Sequence, residues 1–157
     1  MSVDTTTALQ IVSPSFKNDH IMSSRFTCEG ENINPALVLT NVPPETVSLA
    51  LLMEDPDAPK GIFVHWVMWS IKPVSLIDEN SAPGIQGVNS RGSNQYIGPC
   101  PPYGTHRYHF NIFALDTKLE LPRSAGKAEM MEAMSGHIIS QARITGLYKR
   151  IVQEPED

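Results

Sequence analysis

Five short apolar runs, separated by stretches rich in turn residues, constrain the fold of this chain more than any other feature. The runs are PALVLTNV (35–42), SLALLME (48–54), FVHWVMWSI (63–71), YHFNIFAL (108–115) and ARITGLYKRIV (142–152). Apolar segments of this length that are bounded by Pro, Gly, Asn and Ser are typical of β-strands. Their spacing favours antiparallel sheets, so the sequence predicts an all-β protein with short helices.

The run FVHWVMWSI is apolar on both of its faces. Strict alternation puts one group of side chains on one face, namely Val64, Trp66 and Met68, and another on the opposite face, namely His65, Val67, Trp69 and Ile71. A strand with two apolar faces is covered on both sides. We therefore predict a central strand, with His65 near its beginning.

One segment, SAGKAEMMEAMSGHIISQA (124–142), has the pattern of a helix. Ser124 is the expected N-cap, and Ser135–Gly136 is expected to divide the segment into two short helices. The apolar stripe consists of Met131, Met134, Ile138 and Ala142. We interpret its methionines as core filling rather than as cofactor contacts.

Size and charge exclude several classes of protein. A chain of 157 residues with 41% apolar content predicts one domain spanning residues 1–157. The formal charge is 12 − 17 = −5, without the positive surface that nucleic-acid binding needs. The first fifteen residues have neither a basic start nor an apolar block, and no segment approaches the ~20 apolar residues of a membrane span. We expect a cytoplasmic protein.

The two cysteines, Cys28 and Cys100, are too few and too far apart for a zinc motif. In a reducing compartment the usual state is two free thiols, and this is our interpretation. The alternative is a disulfide, which would close a long loop and contribute about 4 kcal/mol.

Three segments concentrate side chains that can carry chemistry: EDPDAP (54–59), His65 and GPCPPYGTHRYHF (98–110). The last of them belongs to a region, 72–107, that is rich in Pro, Gly, Asn and Ser and too long for a simple connection. Strand ends that share one rim of a sandwich bring such loops together. We therefore expect the three segments to form one pocket.

The segment GPCPPYGTHRYHF is suited to the wall of that pocket. Its prolines have a fixed φ and no backbone donor, so we expect a stiff wall that approaches a ligand closely at Gly98. His106 and Tyr108 are two residues apart and share a face, whereas His109 points to the other face.

Imidazoles, a phenol hydroxyl and glycine N–H groups form a donor-rich set that suits phosphate or carboxylate oxygens. The inferred ligand is a small anion. A carboxylate repels such a ligand directly, but it can accept a hydrogen bond from an imidazole and favour its charged form. We therefore expect Asp55 to orient His65 through a hydrogen bond without contacting the ligand itself.

The motifs DPDAP, HW, GVNSRG, GPCPPYGTHRYHF and GHIISQARITGLYKR, in this order, closely resemble the phosphatidylethanolamine-binding protein (PEBP) family, which includes the Raf kinase inhibitor protein. The prokaryotic branch is the nearest match, and the resemblance extends from TCEGENINPAL to YKR. It implies a β-sandwich of two antiparallel sheets with a rim pocket for phosphate-like anions or a phospholipid headgroup. The residues that match the family's pocket are Asp55, Asp57, His65, Gly98, Pro101, Pro102, His106 and Tyr108.

The resemblance also implies a cis peptide bond at Ala58–Pro59. The sequence stops soon after YKRIVQ, so we expect it to lack the C-terminal helical segment that helps to close the pocket in eukaryotic relatives. Kinase regulation by those relatives is therefore not carried over. A partner kinase or protease and a homodimer are suggested by the resemblance, and the residues leave both open.

Several of these residues also have structural interpretations. Asp55 and Asp57 could simply cap their own turn. This structural role is the stronger alternative for Asp57, because Asp55 has His65 as an expected partner. His65 could be a buried core histidine, although the family match favours the pocket. Arg107 is interpreted as an ion-pair partner rather than an anion contact.

Two other functions are compatible with these side chains. The two aspartates, with His65 and His106, could ligate zinc or iron, but their spacing matches no metal motif. A hydrolase could use a His–Asp pair on a small phosphate or acyl ester. Its candidate nucleophiles lie in no recognisable motif; they are Ser90, Ser93, Thr105 and Cys100. We predict a binding protein without metal or cofactor, with the hydrolase as the alternative.

Overall fold

The computed structural model describes residues 8–151, and strands make up most of its regular structure. In chain order the strands are β1 (Gln10–Val12), β2 (His20–Ile21), β3 (Leu37–Thr40), β4 (Ser48–Asp55), β5 (Phe63–Ile71), β6 (Leu76–Ile77), β7 (Ile85–Gln86), β8 (His106–Leu115) and β9 (Ile138–Tyr148). The helix α1 spans Lys127–Met134, and a 3-10 turn covers Ser24–Phe26. No helix within residues 8–151 is long and apolar enough to cross a membrane.

The strands form a small sheet, in the order β1-β3-β6, and a large sheet, in the order β2-β9-β8-β4-β5-β7. Neighbouring strands are antiparallel except for β2 and β9, which are parallel. The expected mostly-β architecture of two sheets is thus confirmed, but the expectation of purely antiparallel sheets is wrong at one edge. The chain enters β2 from β1, a strand of the small sheet, and no hairpin joins β2 to β9. The direction of β2 is therefore not fixed by a tight turn.

Two apolar clusters cover the two faces of the large sheet. The inner cluster lies between the sheets and includes Leu37 and Leu39 from the small sheet and Leu51, Met53 and Phe110 from the large one. The outer cluster lies on the opposite face, where α1 packs; it includes Leu52, Trp69, Phe113, Met130 and Met134. Burial on both faces explains why β5 is apolar throughout.

Two irregularities interrupt the alternation of β5. Met53 pairs with Trp66 and Glu54 with Val64, which makes His65 an extra residue in β5. A second irregularity lies beside Ser70, whose φ is +56°. As a result the predicted faces are partly wrong: Ile71 joins Trp66 and Met68 in the inner cluster, and Val64 packs against the outer one.

The predicted helix extends too far. The structure begins it at Lys127, with Gly126 as the N-cap instead of Ser124, and ends it at Met134. Gly136 follows in the left-handed region with φ +81°, a conformation that stops helices. The expected second helix is strand β9, because the chain from Ile138 pairs with β8 along almost its whole length.

Cys28 and Cys100 form a disulfide across a sequence separation of 72, so the interpretation as free thiols is wrong. Their Cα atoms lie 5.5 Å apart, within the usual range for a bonded pair. The backbone brings them together, since the N–H of Cys28 donates to the carbonyl of Pro99 at 3.1 Å. The bond links the 3-10 turn region to the segment expected to form the pocket wall.

Candidate functional site

A crevice of about 120 Å³ lies at one end of the large sheet, where β4 ends and β8 begins. It brings together the three segments that the sequence singled out. Seven of the eight predicted site residues line it: Asp55, His65, Gly98, Pro101, Pro102, His106 and Tyr108. The eighth, Asp57, does not.

Asp55 is the last residue of β4 and is 3% exposed. Its Oδ2 accepts a hydrogen bond from Nδ1 of His106 at 2.7 Å, and its Oδ1 accepts one from the N–H of Asp57 at 2.7 Å. The expected pairing of Asp55 with His65 is therefore wrong. In the antiparallel register Glu54 lies opposite His109, which brings the start of β8 beside Asp55.

His106 and Tyr108 share the inner face of β8, as predicted, and their rings stack with centroids 6.4 Å apart. Burial raises the pKa of the Tyr108 hydroxyl, and the negative charges of Asp55 and Asp57 raise it further. Tyr108 therefore keeps its proton at neutral pH and remains a donor. His109 faces the other side of the sheet, where its Nδ1 lies 2.8 Å from Oγ1 of Thr145.

His65 is buried, with its ring edge-on to Tyr108 at 5.3 Å and to Phe63 at 4.8 Å. Its Nδ1–H donates to the carbonyl of Ile97 at 2.6 Å, because a carbonyl oxygen can only accept. Burial lowers the pKa of the imidazole, and this outweighs the opposite effects of Ile97 and Asp55. The ring is thus neutral at pH 7, with Nε2 as its remaining acceptor.

Gly98 serves the wall differently from the prediction. Its N–H donates to Oδ1 of Asn32 at 2.8 Å, so it is not a donor for a ligand. A Cβ at this position would lie 2.3 Å from the carbonyl oxygen of Phe26 and 2.4 Å from Oδ1 of Asn32. Glycine is required because the wall packs tightly against the 24–32 segment behind it.

Asp57 lies outside the crevice and binds Arg107. Its Oδ2 accepts from the N–H and Nε of Arg107 at 2.9 and 3.0 Å, and its Oδ1 accepts from Nη2 at 2.8 Å. Hydrogen bonds from Arg107 lower the pKa of Asp57 to about 2. The interpretation of Arg107 as an ion-pair partner is confirmed, whereas Asp57 binds Arg107 instead of capping its own turn, and the carboxylate of Asp55 caps that turn. No peptide bond within residues 8–151 is cis, so the expected cis Ala58–Pro59 bond is also wrong.

Sequence reasoning missed several residues of the crevice, which are Ala58, Pro59, Phe63, Arg91, Ile97 and Cys100. Arg91 is the most consequential of them, since it is exposed, forms no ion pair within residues 8–151, and its charge lowers the pKa of His65. Its signal was present in the motif GVNSRG, which we used only for the resemblance.

The crevice therefore combines a protonated phenol, one guanidinium and two imidazoles whose Nε2 atoms have no hydrogen-bond partner among residues 8–151. No group of three or more His, Cys, Asp or Glu side chains within the described residues is arranged to hold a metal ion. Such an arrangement can hold a small oxyanion through hydrogen bonds and charge.

Fold and crevice define the class of protein as a two-sheet β-sandwich with a histidine-lined pocket at its rim. Comparison with known sequences supplies the family. The family model for phosphatidylethanolamine-binding protein matches residues 12–149. A UPF0098 protein of Methanothermobacter thermautotrophicus is 43% identical over 150 residues, covering 90% of this chain and 99% of the relative. One from Pyrococcus horikoshii is 41% identical over 150 residues, covering 88% and 76%.

Solved structures agree. A PEBP homolog from Chlamydia trachomatis has a TM-score of 0.89 and 36% identity, covering 92% of this chain and 99% of that one. Escherichia coli YbcL, described as a member of the mammalian PEBP family, has a TM-score of 0.83 and 28% identity, covering 90% and 98%. This chain belongs to the PEBP family, as its motifs predicted, and these relatives are archaeal and bacterial.

Proposed function

We propose that the protein binds a phosphate-like anion, either free or as a phosphorylated headgroup, in the rim crevice. One observation carries the proposal: His65 and His106 both line a crevice of about 120 Å³, and both have Nδ1 engaged by the protein. Each ring therefore has only Nε2 left for a ligand. A crevice this small suits an oxyanion and leaves the rest of a larger molecule outside.

The two Nε2 atoms play different parts in this proposal. With Nδ1 of His106 held by Asp55, a second ring proton at Nε2 lets this ring donate to an anionic oxygen. Neutral His65 accepts at Nε2 and so favours a ligand that still carries an O–H group. A singly protonated phosphate or phosphate monoester has both kinds of oxygen. Binding should therefore strengthen as the pH falls from 8 towards the phosphate's second pKa of about 6.

The buried carboxylate of Asp55 fits this ligand because both of its oxygens already accept hydrogen bonds. Its charge is therefore offset by the ring of His106 and the N–H of Asp57 and is not left unpaired beside the ligand. Arg91 adds a positive charge at an exposed position of the same crevice. Tyr108 adds a hydroxyl that burial keeps protonated and that hydrogen-bonds with the side chain of Asp55.

Binding rather than turnover is the function that these contacts favour. Cys100 is bonded to Cys28 and so offers no thiolate. The hydroxyl of Ser90 accepts from the N–H of Val64 at 2.7 Å, and that of Ser93 donates to Asn89 at 3.2 Å. Within the described part of the chain, neither hydroxyl is paired with a histidine that could act as its base.

The test is an NMR titration that resolves each histidine, with phosphate and phosphoethanolamine as the probes and ethanolamine, which lacks the phosphate, as the control. We expect the ring signals of His65 and His106 to shift while those of His20 and His137 stay unchanged. His65→Gln and His106→Gln should each weaken binding by about tenfold or more. His109→Gln is the matched control, since His109 is on the same strand as His106 but on the opposite face.

Unchanged signals of both pocket histidines would overturn the proposal. In the same samples, ³¹P spectra follow the phosphoethanolamine itself. Release of inorganic phosphate that disappears in His65→Gln would replace the binding function with a hydrolase, whereas an unchanged spectrum supports binding.

A further inference from the structure

A second concave site lies on the outer face of the large sheet, away from the rim crevice. Helix α1 and the outer cluster cover only part of this face, and beside them a groove of about 500 Å³ stays open. This volume lies within the range of small-molecule pockets. The residues that matter for its chemistry are Glu54, Asn111, Phe113, Lys127, Met131 and Arg143.

Arg143 is the central polar group of the groove. Its Nε donates to Oδ1 of Asn111 at 2.8 Å, and Asn111, which is 7% exposed, donates from Nδ2 to the carbonyl of Leu52 at 3.1 Å. The three residues lie side by side on β9, β8 and β4. A buried amide thus holds the guanidinium in place at its Nε, and among the described residues both Nη groups are left for another partner.

The charge of Arg143 is not balanced within the described residues, where it forms no ion pair. The other two charges of the groove cancel, because Nζ of Lys127 lies 2.7 Å from Oε2 of Glu54. His109, farther along the same face, adds no charge at neutral pH, since burial and then the charge of Arg143 lower its pKa. The groove carries one net positive charge in a chain of net charge −5.

Apolar side chains lie beside this charge. Phe113 and Leu52 form part of the floor, and Met131 is 38% exposed at the groove. A flexible, exposed methionine adapts to apolar ligands of different shapes. A ligand that matches the groove therefore has one negative charge and an apolar body.

We propose that this groove binds a small organic carboxylate, whose two oxygens accept from the Nη groups of Arg143 and whose apolar part contacts Phe113 and Met131. A planar guanidinium that is fixed at Nε suits a carboxylate in this two-point arrangement. The site is independent of the rim crevice, because His106 and Tyr108 face the inner side of the strand that carries Asn111 and Phe113.

The experiment compares 1-naphthoate with its uncharged counterpart 1-naphthamide, by following backbone amide shifts in two-dimensional NMR at millimolar ligand. We expect naphthoate to shift amides of β8, β9 and α1 around the groove, and naphthamide to bind about tenfold more weakly. Arg143→Gln should reduce naphthoate binding to the level of the amide. Arg123→Gln, an exposed arginine outside the groove, is the matched control and should bind as the native protein does.

Saturation with phosphoethanolamine should leave the naphthoate titration unchanged, which separates this site from the rim crevice. The proposal is overturned if no groove amide shifts, if the amide binds as well as the acid, if Arg143→Gln binds like the native protein, or if phosphoethanolamine displaces naphthoate. Groove shifts that arise on concentrating the protein without ligand would assign this face to self-association and also overturn it.

Discussion

His65 reaches the crevice because β5 holds one residue more than β4 at this point. A bulge of this kind turns a side chain away from the regular alternation of its strand. The freed ring packs against Tyr108, and its Nδ1 meets the carbonyl of Ile97 from the wall. Meanwhile Asp55, in the regular part of β4, pairs with His106.

Motifs alone identified residues that come together in one crevice, but they could not assign the hydrogen-bond partners of these residues. Seven residues chosen from DPDAP, HW and GPCPPYGTHRY line one crevice. The choice between His65 and His106 as partner of Asp55 depends on strand register and on a bulge, and neither has a signal in a single sequence. The N–H of Gly98 was misjudged for the same reason, because its acceptor Asn32 lies 66 residues away.

Arg91 lines the crevice and should contribute to anion binding through its positive charge. Replacing it with Gln removes a positive charge from the crevice, and at an exposed position this charge is screened by solvent. We expect Arg91→Gln to weaken phosphoethanolamine binding by about threefold to tenfold, most strongly at low salt. Calorimetric titration at two salt concentrations measures both effects. Equal affinity at low salt in Arg91→Gln and in the control Arg123→Gln would contradict the assignment of Arg91 to the crevice.

Asp57 should contribute stability rather than binding. Its pKa is lowered to about 2 from an ordinary value of 3.8, so its contribution is present above pH 3.8 and is lost as the pH falls through about 2. Since the side chain of Arg107 is 55% exposed, solvent reduces this contribution to about 1 kcal/mol. Urea unfolding of Asp57→Asn should show this loss at pH 7 and only a small part of it near pH 2, where the carboxyl of the folded protein is about half protonated.

The control for this series is Asp78→Asn, an exposed acid without a charged partner among residues 8–151. It should leave the free energy of unfolding within about 0.5 kcal/mol of the native value. If Asp57→Asn instead abolished phosphoethanolamine binding at full stability, Asp57 would belong to the site.

At the scale of elements, the pocket wall is held by cross-links more than by its prolines. Segment 97–102 is tied to the 24–32 segment by the disulfide, by Gly98 N–H to Asn32, and by Cys28 N–H to the carbonyl of Pro99. The neighbouring Tyr96 hydroxyl donates to the carbonyl of Phe26 at 2.7 Å. These links fix the wall before a ligand arrives, which reduces the entropy lost on binding.

Removing the disulfide should cost stability and loosen the wall. For a sequence separation of 72, the chain-entropy model gives about 4 kcal/mol. We therefore expect the double variant Cys28→Ser/Cys100→Ser to lose about this much free energy of unfolding, to keep its fold and to bind phosphoethanolamine more weakly. Thiol titration of the unreduced, urea-unfolded native protein should find no free thiol. Two thiols per chain, or a variant as stable as the native protein, would contradict the bond.

The predicted strands 48–54 and 63–71 match β4 and β5 closely, because long buried runs carry a strong signal. The helix prediction for the residues after Gly136 was wrong, because the sequence from Ile138 fits a helical stripe and a strand equally well. Pairing with β8, an interaction between distant parts of the chain, decides between them.

For the whole molecule, the large sheet separates two environments. The inner face carries the core between the sheets and ends in the rim crevice, whereas the outer face carries α1, the outer cluster and the groove. The sequence indicated two apolar faces for β5, but it could not show that α1 covers only part of the outer one. How much of the outer face is covered depends on where α1 packs on the sheet, and the apolar periodicity of a helix does not determine that position.

The two tryptophans of β5 report on these two environments separately, since Trp66 belongs to the inner cluster and Trp69 to the outer. Trp66→Phe leaves Trp69 as the only tryptophan, and Trp69→Phe leaves Trp66, and excitation at about 295 nm avoids the tyrosines. If the sheet couples its two faces, fluorescence and circular dichroism should give the same urea midpoint within each variant. A fluorescence midpoint separated from the circular-dichroism midpoint in either variant would mean that one face unfolds independently.

The same two variants should differ in stability. Nε1 of Trp66 donates to Oε1 of Gln86 at 2.7 Å, so Trp66→Phe loses a hydrogen bond as well as apolar volume. Nε1 of Trp69 is buried without a hydrogen-bond partner among the described residues, so Trp69→Phe removes a polar group whose burial is unfavourable. We therefore expect Trp66→Phe to lose about 1 kcal/mol more than Trp69→Phe in urea unfolding. A larger loss in Trp69→Phe would show that packing in the outer cluster outweighs the unpaired N–H.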